Sequence, residues 1–383
     1  MNDTVVFGAS HLIAELDINR ISFIVDNNPD LQGTSHLGLL IKSPDVLEGC
    51  SDKYDVIVCS TSVREIRLQL ESYGFIWGQN ARVYEALNEI EKISELENCT
   101  FEFLVSSGLP STAKSFSGGG IHLVTESGDY PTTKTIYEGQ THGLVRLPDK
   151  GGYAFTCQGT GVICLDGELS LADKIPLPDG LRPHGLRRYK DLWVVVCSLE
   201  DCIIGVDDNG IERFRYSITD KLDDYSTPQH HCNDLVIIDH FAYISMFSVT
   251  GNWKRGIFDG GLVEINLNNG NSSTIINNLT MPHSVTDEDG EIFILDSFKG
   301  RLLGRNLNEI AQLPGFLRGY DSDSSYYYLG ESKNRNFSRM DNGRSPVSLD
   351  SKITIVDKKL LFCRSIMLPR HISEIHAILK INA

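Results

Sequence analysis

A short turn with a basic residue at its apex recurs along this chain, each time leading into a strand. The turns are Thr141-His142-Gly143-Leu144, Pro183-His184-Gly185-Leu186, His231-Cys232-Asn233-Asp234-Leu235, Pro282-His283-Ser284-Val285 and Arg318-Gly319-Tyr320, and Arg370-His371-Ile372 closes the set. Successive apices lie between 35 and 53 residues apart, the spacing of a repeat architecture. A strongly apolar strand follows each apex after a turn, at 152–157, 192–197, 241–247, 291–296 and 326–330, with 101–106 ahead of the first. A unit of four short strands cannot bury both of its faces alone. Six such units stacked around an axis are therefore expected, a six-bladed all-β propeller.

The first outer set, beginning near Phe101, lacks an innermost strand, and the carboxy-terminal run 374–381 is expected to supply it. On that reading the C-terminal strand closes the propeller and removes its free edges. Ahead of the propeller, strands at 4–7, 21–25 and 54–59 alternate with helical segments and predict a small parallel sheet. The expected division is an α/β domain over 1–90, a connecting segment over 91–97 and the propeller over 98–383.

If the innermost strand comes first in each blade, all the apices gather on one face around the axis. His142, His184, His231 and His283 then present imidazoles inward from consecutive blades, and His371 holds the same phase. His376 sits inside the closing strand, and His122 and His240 also fall outside the phase. Four imidazoles suit a borderline divalent metal such as iron, zinc or manganese, with calcium a poorer match. Such an ion acts as a Lewis acid or lowers the pKa of a bound water. The alternatives to a metal are turn caps, the lining of a water-filled channel or metal-free proton carriers.

Two apices break the histidine rule. Asn233 and Asp234 would add oxygen ligands or hydrogen-bond partners, although a turn aspartate is often an Asx cap. Arg318 would clamp a carboxylate or phosphate, helped by Arg335. Glu331, on the same face, is a candidate general acid or base, and a rim salt bridge to Arg335 is its structural alternative. Asp296-Ser297 is a similar candidate. Long loops at 108–119, 248–260 and 332–351 are expected to overhang this face, two of them rich in Lys and Arg.

The formal charge of -16 argues against a nucleic-acid partner and leaves a small anionic metabolite as the expected ligand. No apolar run reaches membrane-spanning length. Nine cysteines without metal-pair spacing, and no signal-like start, suit a cytoplasmic protein with reduced thiols. An edge of the amino-terminal sheet would suit a homo-oligomer.

From about residue 98 onward, the His-Gly and Pro-His-Ser turns and the segment Gly330-Glu331-Ser332-Lys333-Asn334-Arg335 resemble an uncharacterised bacterial family of six-bladed propellers. More distantly, Asn233-Asp234 and Asp296-Ser297 are similar to turns of the gluconolactonase and senescence-marker propellers, whose Asp, Asn and Glu hold a divalent metal for lactone hydrolysis. A four-histidine iron site is similar in kind to that of the carotenoid oxygenases. The amino-terminal part resembles a small Rossmann-like domain attached to sugar-modifying enzymes and methyltransferases. That resemblance implies a ligand beside Gly8 and Asp26, with Ser10 and Ser60 in the same site. The chain lacks G-x-G-x-x-G and its first crossover is short, so a bound nucleotide is not expected. Together these features imply a metal-dependent enzyme acting on a small anionic, sugar- or amino-acid-derived metabolite, hydrolytic or lactonase-like. The alternatives are a non-catalytic propeller that binds a ligand or protein, or a histidine-ligated iron oxygenase or isomerase.

Overall fold

A computed structural model describes residues 2–108, 119–127, 130–148, 151–219, 221, 228–333 and 347–381. The chain divides into two compact units, Met1–Cys99 and Thr100–Ala383.

The first unit is a six-stranded sheet of β1 (Asp3–Phe7), β2 (Ile21–Val25), β3 (Ser35–His36), β4 (Leu39–Lys42), β5 (Tyr54–Val58) and β6 (Ala81–Val83), in the order β3-β4-β2-β1-β5-β6. All pairings are parallel except the short β3–β4 hairpin. The strands are Val- and Ile-rich and bury Val5, Phe7, Phe23, Val56 and Val58 in one cluster, as a parallel sheet requires. Helices α1 (Val63–Ser72) and α2 (Asn88–Asn98) follow β5 and β6. The crossover from β1 to β2 holds only two single 3-10 turns, His11–Glu15 and Ile18–Arg20.

The second unit is six four-stranded antiparallel sheets. From the inside outward, blade I is Thr141–Leu147, Gly152–Cys157, Gly161–Leu165 and Leu171–Ile175. Blade II is Pro183–Tyr189, Leu192–Cys197, Cys202–Val206 and Glu212–Ser217. Blade III is Cys232–Ile238, Phe241–Met246, Gly260–Asn266 and Ser272–Leu279, and blade IV is His283–Glu288, Glu291–Asp296, Arg301–Leu303 and Glu309–Gln312. Blade V is Phe316–Ser322, Tyr326–Ser332, Lys352–Asp357 and Cys363–Met367. Blade VI is Ile375–Ile381, Glu102–Ser107, Gly120–Ser127 and Tyr130–Glu138.

The gradient in each blade follows its sequence. The second strand of blade II, Leu-Trp-Val-Val-Val-Cys, is buried on both faces, whereas its outermost strand, Glu-Arg-Phe-Arg-Tyr-Ser, alternates between half-buried and exposed.

The expected closure is corrected by this topology. The C-terminal strand Ile375–Ile381 pairs antiparallel with Glu102–Ser107, but only as the inner member of one open four-stranded sheet. No sheet among the described residues closes on itself by hydrogen bonds, and every blade keeps an inner and an outer edge. The strand ladders run within blades, so the ring is held between blades by side chains. Val145 and Ala154 of blade I pack with Trp193 and Val195 of blade II. Val194 and Ile203 meet Leu235 and Ile244 of blade III, and Leu262 and Leu279 meet Val285 and Ile294 of blade IV. Leu295 and Leu302 meet Leu317 and Leu329 of blade V, and Leu104 and Leu379 of blade VI meet Phe155 of blade I.

Between blades V and VI the contact is aromatic, with Phe103 edge-on to Tyr328 at a centroid distance of 5.3 Å. Phe103→Ala is therefore expected to destabilise the propeller by about 3–5 kcal/mol, read as a lowered midpoint in denaturant unfolding followed by far-ultraviolet circular dichroism.

Candidate functional site

Each inner strand carries a register irregularity at the same level. The shifts lie between Thr141 and Leu144, Pro183 and Leu186, Cys232 and Leu235, His283 and Thr286, Leu317 and Tyr320, and Ile375 and Ala377. An extra residue in one strand of a pair kinks it and re-aims its side chains. Here six bulges turn His142, His184, Asn233, His283, Arg318 and His376 toward one small axial cavity.

Hydroxyls of the preceding blade hold two of these bulges. Ser106 donates to the carbonyl of His142 at 2.5 Å, and Thr156 does the same for His184 at 2.5 Å. For blade III, the buried Asp201 of blade II accepts the backbone N–H groups of Gln229, His230 and His231 at 2.5, 3.0 and 3.0 Å. It fixes the turn that leads to Asn233. No spacing in the sequence singles out Asp201, a buried acid that holds three backbone N–H groups and the Cys232 thiol.

Of the expected set, the structure brings His142, His184, Asn233, His283 and Arg318 together at the ring, with Asp234 also on the cavity wall, and it places the other described residues elsewhere. His231 has left-handed backbone, φ 55°, and its ring lies between Phe247 at 4.3 Å and Trp253 at 4.8 Å. It meets His184 edge to face at 6.0 Å, and Asn233 takes the ring position of its blade. His371 is exposed, and His376 occupies the corresponding place in blade VI. The discriminating signal is the residue that follows. His-Gly-Leu, His-Gly-Leu, Asn-Asp-Leu, His-Ser-Val, Arg-Gly-Tyr and His-Ala-Ile share a compact residue, then a larger apolar one.

Glu331 is fully buried in the second strand of blade V, where it accepts from Thr354 at 2.5 Å and lies 3.5 Å from Lys352, away from the axis. Asp296 accepts from Thr280 N–H at 2.7 Å and Arg301 at 2.6 Å, a structural role, while Ser297 Oγ sits 2.9 Å from His283 Nδ1. Asp234 lies one level below the ring. Arg335 falls outside the described residues. In the amino-terminal unit, Gly8 has φ 100°, and a Cβ there would stand 2.9 Å from that of Ser60. Asp26 accepts the N–H groups of Ala9 and Asn28, each at 2.8 Å, so its carboxylate holds the turn. Ser60 Oγ accepts from Ser62 N–H at 3.3 Å, and Ser10 Oγ is buried without a partner.

The ring is buried and nearly charge-balanced. Burial pushes His142, His184 and His283 well below the usual imidazole range, reinforced by neighbouring histidines and Arg318. His376 is lowered for the same first reason, against the pull of Glu374. His283 accepts from Arg318 Nε at Nε2, 3.0 Å, which leaves Nδ1 to donate to the Met281 carbonyl at 2.9 Å. Arg318 Nη1 also donates to Glu374, whose Oε1 is 3.5 Å from His376 Nε2. His376 Nδ1 donates to the carbonyl of Thr141 at 2.7 Å.

Three rings form a stack, with His142 4.0 Å from His184 at 12° and 4.0 Å from His376 at 10°. A metal lies in the plane of each imidazole that binds it, along a nitrogen lone pair. Parallel rings aim those lone pairs side by side rather than at one point, and both nitrogens of His283 are engaged. As arranged, the residues do not fit a four-histidine ion, and among the described residues no other group of three or more His, Cys, Asp or Glu is placed to hold one. Two buried polar atoms on the cavity wall are without a partner, His142 Nε2 and Asn233 Oδ1. The cavity itself measures about 30 Å³.

Residues 168–383, more than half of the chain, match the family model described as a domain of unknown function, DUF4915. The chain belongs to that family. No curated protein matches it. Among solved structures it is similar to a chain of the nidogen/laminin complex, with a TM-score of 0.50 at 11% identity over 74% of this chain and 98% of that one. It is also similar to a protein of unknown function from Bacteroides caccae, with a TM-score of 0.49 at 11% identity over 74% and 100%. Regucalcin, a calcium-binding protein from Agrobacterium tumefaciens, gives 0.40 at 12% identity over 57% and 70%. At such identities the likeness is one of fold. No helix among the described residues is long and apolar enough to cross a membrane.

The histidines set the pH response. Their folded values lie below the ordinary 6.5 of an unfolded histidine, so unfolding takes up protons as the pH falls beneath that value. Stability is expected to be complete above about pH 6.5 and to fall below it, by on the order of 1 kcal/mol per pH unit for each histidine kept neutral. Thermal melting between pH 7.5 and 5, in the parent and in His142→Gln, checks this; the variant loses about one proton's share of the slope.

Proposed function

We propose that the axial ring is the binding site of a small hydroxylated metabolite, recognised by hydrogen bonds without a metal, and that the propeller is a ligand-binding module. The observation that carries this is the pair of buried, unpartnered atoms, His142 Nε2 and Asn233 Oδ1, on the wall of one cavity. A buried polar atom left unpaired costs about 1–3 kcal/mol, so both favour a partner that enters from the channel. A hydroxyl group is suited to each, because it donates to Asn233 Oδ1 and either donates to or accepts from the imidazole.

The cavity's size limits what enters. About 30 Å³ is space for about two water-sized groups, so the head of the ligand is gripped while its body remains in the mouth. Charge contributes little there: Arg318 is neutralised by Glu374 and the imidazoles are uncharged. This weakens the case for Arg318 as a free anion clamp. The lactonase-like reading needs a metal-activated water, and the stacked rings and engaged His283 do not support one. Six-bladed propellers host enzymes and binding proteins alike, so fold does not decide the matter.

Titration calorimetry with D-glucose, D-gluconate and D-gluconolactone tests the reading. At least one neutral polyol or lactone is expected to bind, with affinity lowered about tenfold or more by Asn233→Ala, and the lactone is expected to hydrolyse no faster than in buffer. Metal analysis of protein purified without an affinity tag is expected to find less than stoichiometric metal. One equivalent of metal that disappears in His184→Ala would overturn the metal-free site.

A further inference from the structure

Below the ring the six inner strands draw together. A Cβ on Gly143 would stand 2.8 Å from Cα of Gly185, one on Gly185 2.7 Å from Cα of Asp234, and one on Gly319 3.0 Å from the nitrogen of Ile378. Neighbouring backbones this close leave a narrow waist. Beneath it lies a second chamber of about 260 Å³, walled by inner-strand residues of all six blades. Asp234 and Ser284 border both spaces, so the two lie in sequence along one axis.

Two guanidinium groups face the lower chamber, and they differ in their commitments. Arg146 is fully used: Nη1 and Nη2 donate to the two oxygens of Asp321 at 3.3 and 2.7 Å, and Nη2 also donates to the carbonyl of Lys380. The backbone N–H of Lys380 completes the cluster by donating to Asp321 at 2.7 Å. Arg187 makes one hydrogen bond, from Nη1 to the Leu186 carbonyl at 2.8 Å, and has no ion-pair partner among the described residues. Asp234, the other acid in this wall, turns Oδ1 to the N–H of Leu235 at 2.9 Å. Burial raises its pKa, against the pull of Arg187, and no hydrogen bond joins the two side chains. Ser284 Oγ accepts from Gly319 N–H at 2.9 Å, which leaves its own hydroxyl proton to donate. Thr286 lines the same wall.

A half-buried guanidinium with no carboxylate hydrogen-bonded or ion-paired to it among the described residues, in a chamber that hydroxyls also line, matches a small oxyanion: its planar fork pairs two N–H groups with two oxygens, and a hydroxyl can take a third. We infer that the lower axial chamber is a second binding site, separate from the ring, for a small oxyanion, a carboxylate or a phosphate monoester, anchored by Arg187. The chamber is below the size of a drug-like pocket, so its ligand has only a few carbon atoms.

Calorimetric titration of the full chain with inorganic phosphate and, separately, with malonate tests the inference, and the anion preferred names the class. Binding in the millimolar range or tighter is expected for at least one of them. Arg187→Met is expected to weaken it about tenfold or more, the worth of a charge-assisted pair, while Asn233→Ala, a change in the ring, leaves it unchanged. If Arg187→Met does not fold, Arg187→Gln is read in the same way. The inference is overturned if neither anion binds, if the Arg187 variant binds as the parent does, or if Asn233→Ala loses the anion equally. The last result would move the anion to the ring. Failure of polyols to bind would count against the ring reading alone.

Discussion

Six backbones approach one another around a common axis, and much of the propeller's chemistry follows from how closely they can do so. At the level below the ring, Gly143, Gly185 and Gly319 remove the Cβ atoms that would hold neighbouring inner strands apart. Close approach brings the bulged residues one step above into mutual contact, which is why imidazoles from blades I, II and VI stack at 4.0 Å rather than standing apart in solvent. The same approach buries the ring. The low pKa values of the ring histidines, the small cavity and the two unpartnered atoms are consequences of one packing constraint.

Desolvation then decides which chemistry the ring can offer. Several imidazoles in a buried space cannot all carry charge, so they serve as neutral donors and acceptors whose tautomers are fixed by their partners. His283 shows this most clearly, with Arg318 on one nitrogen and a backbone carbonyl on the other. Arg318 is itself balanced by Glu374. A site of this kind discriminates by the geometry of hydrogen bonds more than by charge, whereas Arg187, on the wall of the lower chamber, has no ion-pair partner among the described residues.

The blade count was legible because a 35–53-residue period leaves few architectures that bury every strand. The strand gradient was legible because the second strand of each blade has an apolar centre, as in Leu-Trp-Val-Val-Val-Cys and Glu-Ile-Phe-Ile-Leu-Asp. Closure was misread. A terminal strand completing one blade suggested a sheet without edges, yet the bonding stops at each blade's rim and packing takes over, which no strand pattern reveals. Phase was readable only in part. His371 precedes its strand as His142 does, but the bulge selects the residue ahead of a compact one, which favours His376 before Ala377 and Asn233 before Asp234. Glu331 looked catalytic from its place on the same face as Arg318, and only three dimensions show it turned into its own blade toward Thr354. Asp201 was invisible because its partners are three N–H groups and a thiol some thirty residues ahead in the chain.

The serine and threonine hydroxyls that hold the ring carbonyls come from the preceding blade: Ser106 of blade VI secures His142 of blade I, and Thr156 of blade I secures His184 of blade II. A ring residue and the group that aims it therefore belong to different repeats. Blades of this protein are not freely exchangeable cassettes: a repeat transplanted from a relative would bring its own apex but leave behind the hydroxyl that positions it. Duplication or shuffling of single repeats would scramble the site even where the propeller still assembled, so the ring is inherited as a set.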